Sequence, residues 1–150
     1  MNDQEFAAWL AGFIDGEGSF SIAPDRRDDS FRCSFKLKLR ADDRAVLEQV
    51  QSRLRIGSVS REKRRPPSRP CYAWRVSSQA DCQALIALLD AAPLQSKKRR
   101  DYEIWREAVA LWVSRERRRG SRAGPATSGD DWSGMARLYV RLREVRAYVE

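Results

Sequence analysis

Apolar positions near the start of the chain follow a helical period. Phe6, Trp9, Leu10, Phe13 and Ile14 recur at i, i+3, i+4, i+7 and i+8, which is one continuous face. Asn2 stands where an N-cap belongs, with Glu5 three residues on as its capping-box partner. A second face holds only small residues and one acid: Ala7, Ala8, Ala11, Gly12 and Asp15. Gly16 or Gly18 is expected to end the helix as a left-handed stop. The period then switches to two. Ser19 to Ala23 reads as a strand with Phe20 and Ile22 on one side, and Pro24 to Ser30 as a charged turn. From Phe31 to Arg40, Phe31, Cys33, Phe35, Leu37 and Leu39 alternate with Arg32, Ser34, Lys36, Lys38 and Arg40, so one face is core and the other basic. Asp42 or Asp43 is expected to cap a second helix with Val46, Leu47, Val50 and Leu54 inward, and Gly57 to end the connection. Ser58 to Arg65 and Cys71 to Ser77 form a hairpin around Pro66 and Pro67. Ser78, with Asp81 three residues on, starts a third helix with Cys82, Leu85, Ile86 and Leu89 inward.

The order so far is αββαββα, an α+β domain with an antiparallel sheet. A fourth helix is predicted from about Lys97 to Arg117, on the stripe Tyr102, Trp105, Val109 and Trp112. Residues 1–117 are expected to form the core domain. Residues 118–131, rich in Gly, Ser, Arg and Pro, read as an exposed basic linker. In 132–150, Met135, Leu138, Leu142, Val145 and Val149 fall at helical spacing. That stripe is too short for a coiled coil, so the helix is expected to dock on the core.

Composition narrows the chemistry. Twenty-nine Lys and Arg against 21 Asp and Glu leave a net charge of +8, and Arg greatly outnumbers Lys. That balance points to a polyanionic partner, with Arg the better fork for phosphate and guanine edges. The chain has no His, which removes Ser-His-Asp triads, His general bases and HExxH zinc sites. Its 3 Cys, without a CxxC, read as buried reduced thiols. No apolar run approaches the roughly 20 residues of a membrane span, so no membrane partner is expected. The start lacks the basic segment of a signal peptide, which gives a cytoplasmic expectation, or an organellar one if the gene is organelle-encoded.

Leu10-Ala11-Gly12-Phe13-Ile14-Asp15-Gly16-Glu17-Gly18 resembles the nine-residue signature of the LAGLIDADG homing endonucleases, and Ser19-Phe20 fits the family pattern just beyond it. Pro93-Leu94-Gln95-Ser96-Lys97-Lys98 looks like that family's lysine-bearing turn. The resemblance covers roughly residues 2 to 113. It implies a site-specific double-strand DNA endonuclease, working as a homodimer on a long imperfect palindrome by hydrolysis that needs Mg²⁺ or Mn²⁺ and no small-molecule cofactor. The residues fit such chemistry. The small face of the first helix suits packing against a second copy. Asp15 and Glu17 stand at the helix C-terminus, where the macrodipole is already negative and a cation compensates a carboxylate. Two such helices together would make a hard-oxygen site.

By resemblance, Glu17 is the metal-binding acid and the Gly16 carbonyl a second ligand, while Asp15 has a structural role at the helix ends. Lys97 matches the basic residue near the scissile phosphate, with Lys98 the alternative one register on. The family often has Gln after the second strand, where it helps hold the attacking water. Here Ala41 takes that place, and Arg40 or Arg44 is expected to act instead. DNA reading should fall to the outward sheet face: Ser19, Ser21, Ala23 and Asp25; Arg32, Ser34, Lys36 and Lys38; Ser58, Ser60, Glu62 and Arg64; Ala73 and Arg75. Arg115 to Arg122 are candidates for phosphate contacts, with a merely solvated basic linker as the alternative. Two other readings stay open: a non-catalytic DNA- or intron-RNA-binding protein, regulator or maturase, on the same fold, and an endonuclease domain released from an intein. The second is disfavoured because no splicing blocks flank the motif.

Overall fold

The computed structural model describes residues 1–27, 30–63, 66–120 and 132–147, and of 116–120 the backbone alone. Helix α1 (Asp3–Glu17) opens on the expected capping box. Asn2 accepts from the Glu5 N–H at 2.8 Å while Glu5 accepts from the Asn2 N–H at 3.0 Å, so two orphan donors are satisfied reciprocally. The helix does not end on a left-handed glycine. Gly18 is extended, with φ −73° and ψ 154°, and is already the first residue of strand β1 (Gly18–Asp25). Glycine is needed there for closeness: a Cβ would meet Ile14 Cγ2 at 2.8 Å and the Phe35 ring at 2.9 Å.

Strand β2 (Ser30–Arg40) pairs antiparallel with β1 and with β4 (Cys71–Val76), and β4 pairs with β3 (Ser58–Arg61), giving the order β1-β2-β4-β3. Pro24 and Asp25 belong to β1 and not to the turn. Pro24 is tolerated because β1 is an edge strand, where a missing N–H leaves no ladder bond unmade. A 3₁₀ turn (Ala41–Asp43) leads into α2 (Arg44–Leu54). Asp43 holds the N-cap position without a side-chain cap bond, contrary to expectation. Helix α2 ends on a left-handed Arg55 (φ 57°), followed by Gly57 at φ 71°. This loop is fixed from two sides. Trp74 Nε1 donates to the Ile56 carbonyl at 2.9 Å, and the Gly57 N–H donates to Asp81 at 3.0 Å.

Helix α3 (Gln79–Ala91) is capped by Ser78, whose hydroxyl accepts from the Asp81 N–H. Helix α4 (Lys98–Gly120) runs past the expected boundary at 117, while 121–131 of the expected linker lie outside the described residues. Helix α5 (Ser133–Arg146) packs on α4 and on β1, burying Met135, Leu138 and Leu142; Val149 lies outside the described residues.

The helices back one face of the sheet. Phe20, Phe35, Trp74 and Trp105 are fully buried there. The Phe20 ring lies 5.0 Å from Phe35 and 5.1 Å from Trp105, and Phe35 meets Trp74 edge-on at 5.8 Å. Each such pair adds about 0.5–1.5 kcal/mol beyond its burial. The three cysteines are buried and free, and burial pushes the Cys82 thiol up to about 12. Among the described residues, no helix is long and apolar enough to cross a membrane.

Candidate active site and nucleic-acid interface

Strand register determines what the other sheet face presents. Ser19, Lys36, Arg75 and Ser58 are successive partners across all four strands. Lys38, Ala73 and Ser60 form a second row, and Ser21 with Ser34 and Ala23 with Arg32 extend the face along β1 and β2. These are the positions expected from the alternation, while Phe20, Phe35, Leu37, Trp74 and Val76 are buried on the opposite side. Ala73 is a correction: it sits in the row but is 0% exposed, a single methyl between longer neighbours. Arg64 lies outside the described residues. Acids temper the basic face. Asp25 sits 3.1 Å from Arg32 and 3.5 Å from Arg27, and Glu62 sits 2.7 Å from Arg75 and 3.6 Å from Lys36.

At the end of α1, Glu17 and Gly16 are exposed, and no basic residue stands in the last turn of the helix. An acid at a negative helix end, next to a backbone carbonyl, is a hard-oxygen donor set. Among the described residues no three His, Cys, Asp or Glu converge to hold a metal ion.

Asp15 ties the end of α1 to the 95–98 turn. Its carboxylate accepts from the Gln95 N–H at 2.9 Å, the Ser96 N–H at 3.1 Å and the Ser96 hydroxyl at 2.8 Å. Partial burial raises its pKa, but the hydrogen bonds from Gln95 and Ser96 and the Lys98 charge outweigh that and hold the carboxyl below its usual range. The turn pinned this way carries the two lysines. Lys98 Nζ donates to the Gly18 carbonyl at 2.6 Å, directly beyond Glu17. Lys97 is exposed. Of the two lysines, the geometry therefore brings Lys98 to the end of α1.

The two arginines separate. Arg40 ends β2 on the outer face, 3.5 Å from Asp42. Arg44 stacks over the Tyr72 ring at 4.6 Å and bonds Glu48 at 2.6 Å. Tyr72 shares the face of Trp74 and Val76, so Arg44 lies on the helix-bearing side and not with the basic residues. The small stripe is also revised. Ala8 and Gly12 are exposed and Ala7 partly so, and a Cβ on Gly12 or Gly16 would meet nothing within 4 Å. Ala11 is 5% exposed and belongs to the monomer core, because it adjoins Ile14 on the inner side. Ala8, Gly12 and Gly16, four residues apart, form the open stripe. Arg115 lies 3.6 Å over the Trp132 ring and is not part of a solvated linker; the side chains of 116–122 lie outside those described. Sequence reasoning misses Arg146. It donates from α5 to the Phe20 carbonyl at 3.0 Å and the Ser19 hydroxyl at 3.3 Å, across a separation that no local pattern encodes.

A four-stranded antiparallel sheet with a basic outer face, entered from a helix that ends in an exposed acid, defines an α+β fold of the LAGLIDADG type. The chain belongs to the LAGLIDADG endonuclease family, whose model matches residues 10–109. It is 29% identical over 109 residues to the probable intron-encoded endonuclease Cox1-I1b of Schizosaccharomyces pombe, covering 71% of this chain and 27% of that protein. It is 32% identical over 110 residues to the probable intron-encoded endonuclease 3 of Neurospora crassa, covering 69% and 20%. The chain thus spans about a quarter or less of the curated relatives it matches. Among solved structures, the meganuclease I-AabMI bound to uncleaved DNA shares 32% identity at a TM-score of 0.64, over 73% of this chain and 38% of that one. The homing endonuclease I-TnaI, at 17% identity, shares the fold with a TM-score of 0.71 and is covered over 94% of its own length, against 93% of this chain.

Proposed function

We propose that this chain is one half of a site-specific double-strand DNA endonuclease that works as a homodimer. The observation that carries the reading is the end of α1: an exposed Glu17 beside the open stripe Ala8, Gly12 and Gly16. Packing two copies through that stripe brings both carboxylates to the two-fold axis, with the two basic sheet faces running outward along the duplex.

Glu17 and the Gly16 carbonyl would hold Mg²⁺ or Mn²⁺. When bound, such an ion activates water and stabilises the leaving oxygen of a phosphodiester. Asp15 holds the 95–98 turn, and Lys98, steadied on the Gly18 carbonyl, supplies positive charge toward the scissile phosphate. Arg40 offers a second charge from the sheet end. The outer face reads base edges in the major groove through Ser19, Ser21, Arg32, Ser34, Lys36, Lys38, Ser58, Ser60 and Arg75, where donors and acceptors differ between base pairs. Ala41, in place of a water-holding Gln, favours the rival reading of a binding protein without cleavage.

Incubation with a randomised duplex library, with Mg²⁺, with Mn²⁺ and with chelator, tests this. The expected result is an enriched inverted repeat cut near its centre only with metal, with light scattering at twice 17.3 kDa. Glu17→Gln should bind the same site and not cut it. Specific enrichment without metal-dependent cutting would favour the binding protein. A site without inverted symmetry, or a monomer that cleaves, would overturn the dimer.

A further inference from the structure

Three charges of the outer sheet face are gathered in one place. Lys36 and Arg75 are register partners on neighbouring strands. Glu62, just past β3, lies against both, with Oε1 2.7 Å from Arg75 Nη2 and 3.6 Å from Lys36 Nζ. Its position is fixed by the backbone, since the Glu62 N–H donates to the Cys71 carbonyl at 2.9 Å. The Glu62 side chain is 15% exposed, against 47% for Arg75, so the acid is sunk between cations that remain reachable. Burial raises the Glu62 pKa, but the Arg75 hydrogen bond and the charges of Lys36 and Arg75 outweigh it and hold the carboxyl below its usual range.

Phosphate and base edges meet this arrangement differently. A phosphate approaching Lys36 or Arg75 finds a carboxylate already at contact distance and is repelled by it. A guanine edge is neutral and presents two acceptors. The guanidinium has five N–H donors and Glu62 occupies one, so the fork retains donors for a base without breaking the ion pair. The acid therefore costs affinity for the backbone, which every sequence shares, more than affinity for a base edge.

We propose that Glu62 is a specificity-determining residue: it holds Lys36 and Arg75 as an internal counter-ion, suppressing sequence-independent phosphate binding and presenting the Arg75 fork to a base edge. The inference rests on the reading of this face as the DNA-binding one. It departs from counting Glu62 as one more contact residue, because its effect runs through Arg75.

The test is selection from a randomised duplex library in chelator, with salt titrations on a random-sequence duplex, for the wild type, Glu62→Gln and Asp25→Asn. Asp25→Asn also removes an acid paired with arginines on this face, and so controls for the loss of one charge. Glu62→Gln should bind the random duplex more tightly, with a log–log salt slope steeper by about 0.9 per freed cation, each worth roughly a factor of 3 to 4 between about 50 and 200 mM salt. The ratio of specific to random binding should fall about tenfold, and preference should flatten over one short stretch of each half-site. Asp25→Asn should strengthen binding, and any change in its selected sequence should fall outside the stretch that Glu62→Gln flattens. With Arg75→Ala in place, adding Glu62→Gln should not change the selected sequence further. The proposal is overturned if Glu62→Gln and Asp25→Asn raise affinity alike with unchanged selected sequences, or if Glu62→Gln reshapes preference when Arg75 is absent. A wild type that selects no sequence would instead overturn the DNA-binding reading on which the proposal stands.

Discussion

Replacing Asp15 with Asn tests how the end of α1 is tied to the lysine turn. Three donors converge on this carboxylate from Gln95 and Ser96, at 2.8 to 3.1 Å. The Lys98 N–H in turn donates to the Ser96 hydroxyl at 3.1 Å, so the lysine inherits its position from Asp15. Hydrogen bonds to a charged group contribute about 1.5–3 kcal/mol each when shielded, and this turn is only partly so. Asn retains one acceptor oxygen and turns an NH₂ toward a donor. The expected cost is about 2–3 kcal/mol at neutral pH, or roughly 5–10 °C in Tm for a chain of this length. The sign of the pH dependence is set by the depressed pKa. The ionised form is favoured in the folded state, so the stabilisation is complete above the ordinary value of 3.8 and is lost as pH falls through the lower folded value. Urea denaturation of wild type and Asp15→Asn at neutral pH and in steps below 3.8 should show a gap that narrows with acid. Amide exchange at Gln95 and Ser96 should accelerate in the variant. A gap of equal size at every pH, or unchanged exchange at those two amides, would refute the charge-assisted tie.

Gly12→Leu should raise the stability of the separated chain by about 0.5–1 kcal/mol, since helix propensity improves and nothing lies within 4 Å of the new Cβ, while abolishing association by light scattering. Lower stability with association intact would show that the stripe is not the interface. Gly57→Ala should cost about 2–4 kcal/mol in denaturant unfolding, because φ is +71° and the Cβ would collide with the Arg75 carbonyl. Phe35→Ala should cost about 3–5 kcal/mol in the same measurement, and Lys38→Ala less than about 0.5 while lowering the salt slope of DNA binding by about one. Similar behaviour of the two would mean that the strand register is wrong.

Strand β2 is legible from sequence because its pairing partners on both sides make each alternate residue choose between core and solvent, and period two leaves no ambiguity. The same holds for the stripes of α1 and α4, where large side chains mark the inner face. Small residues carry no such mark. Ala8 and Ala11 look alike along the chain, and only the packing around Ile14 puts Ala11 inside. The choice between Lys97 and Lys98 is set by how α4 approaches β1, which adjacent identical residues cannot signal. Arg44 has only its i+4 neighbour Glu48 as a partner legible in sequence, but Tyr72 claims it once β4 and α2 meet. Glu62 is placed on the outer face by alternation, yet its grip on two cations of neighbouring strands needs the β2–β4–β3 register.

Strand β1 forms one border of the sheet, with one line of its backbone groups unpaired by any strand, and β3 forms the other with only Ser58–Arg61. Such borders invite the strand of a foreign chain, and proteins commonly close them by shortness or by cover. Both devices are present here. The β3 border is brief, and α5 lies over β1 with Arg146 occupying the Phe20 carbonyl. The C-terminal helix therefore acts as a guard against misassembly. A chain ending before Ser133 would leave β1 open along its length and gain a route to runaway sheet extension between copies.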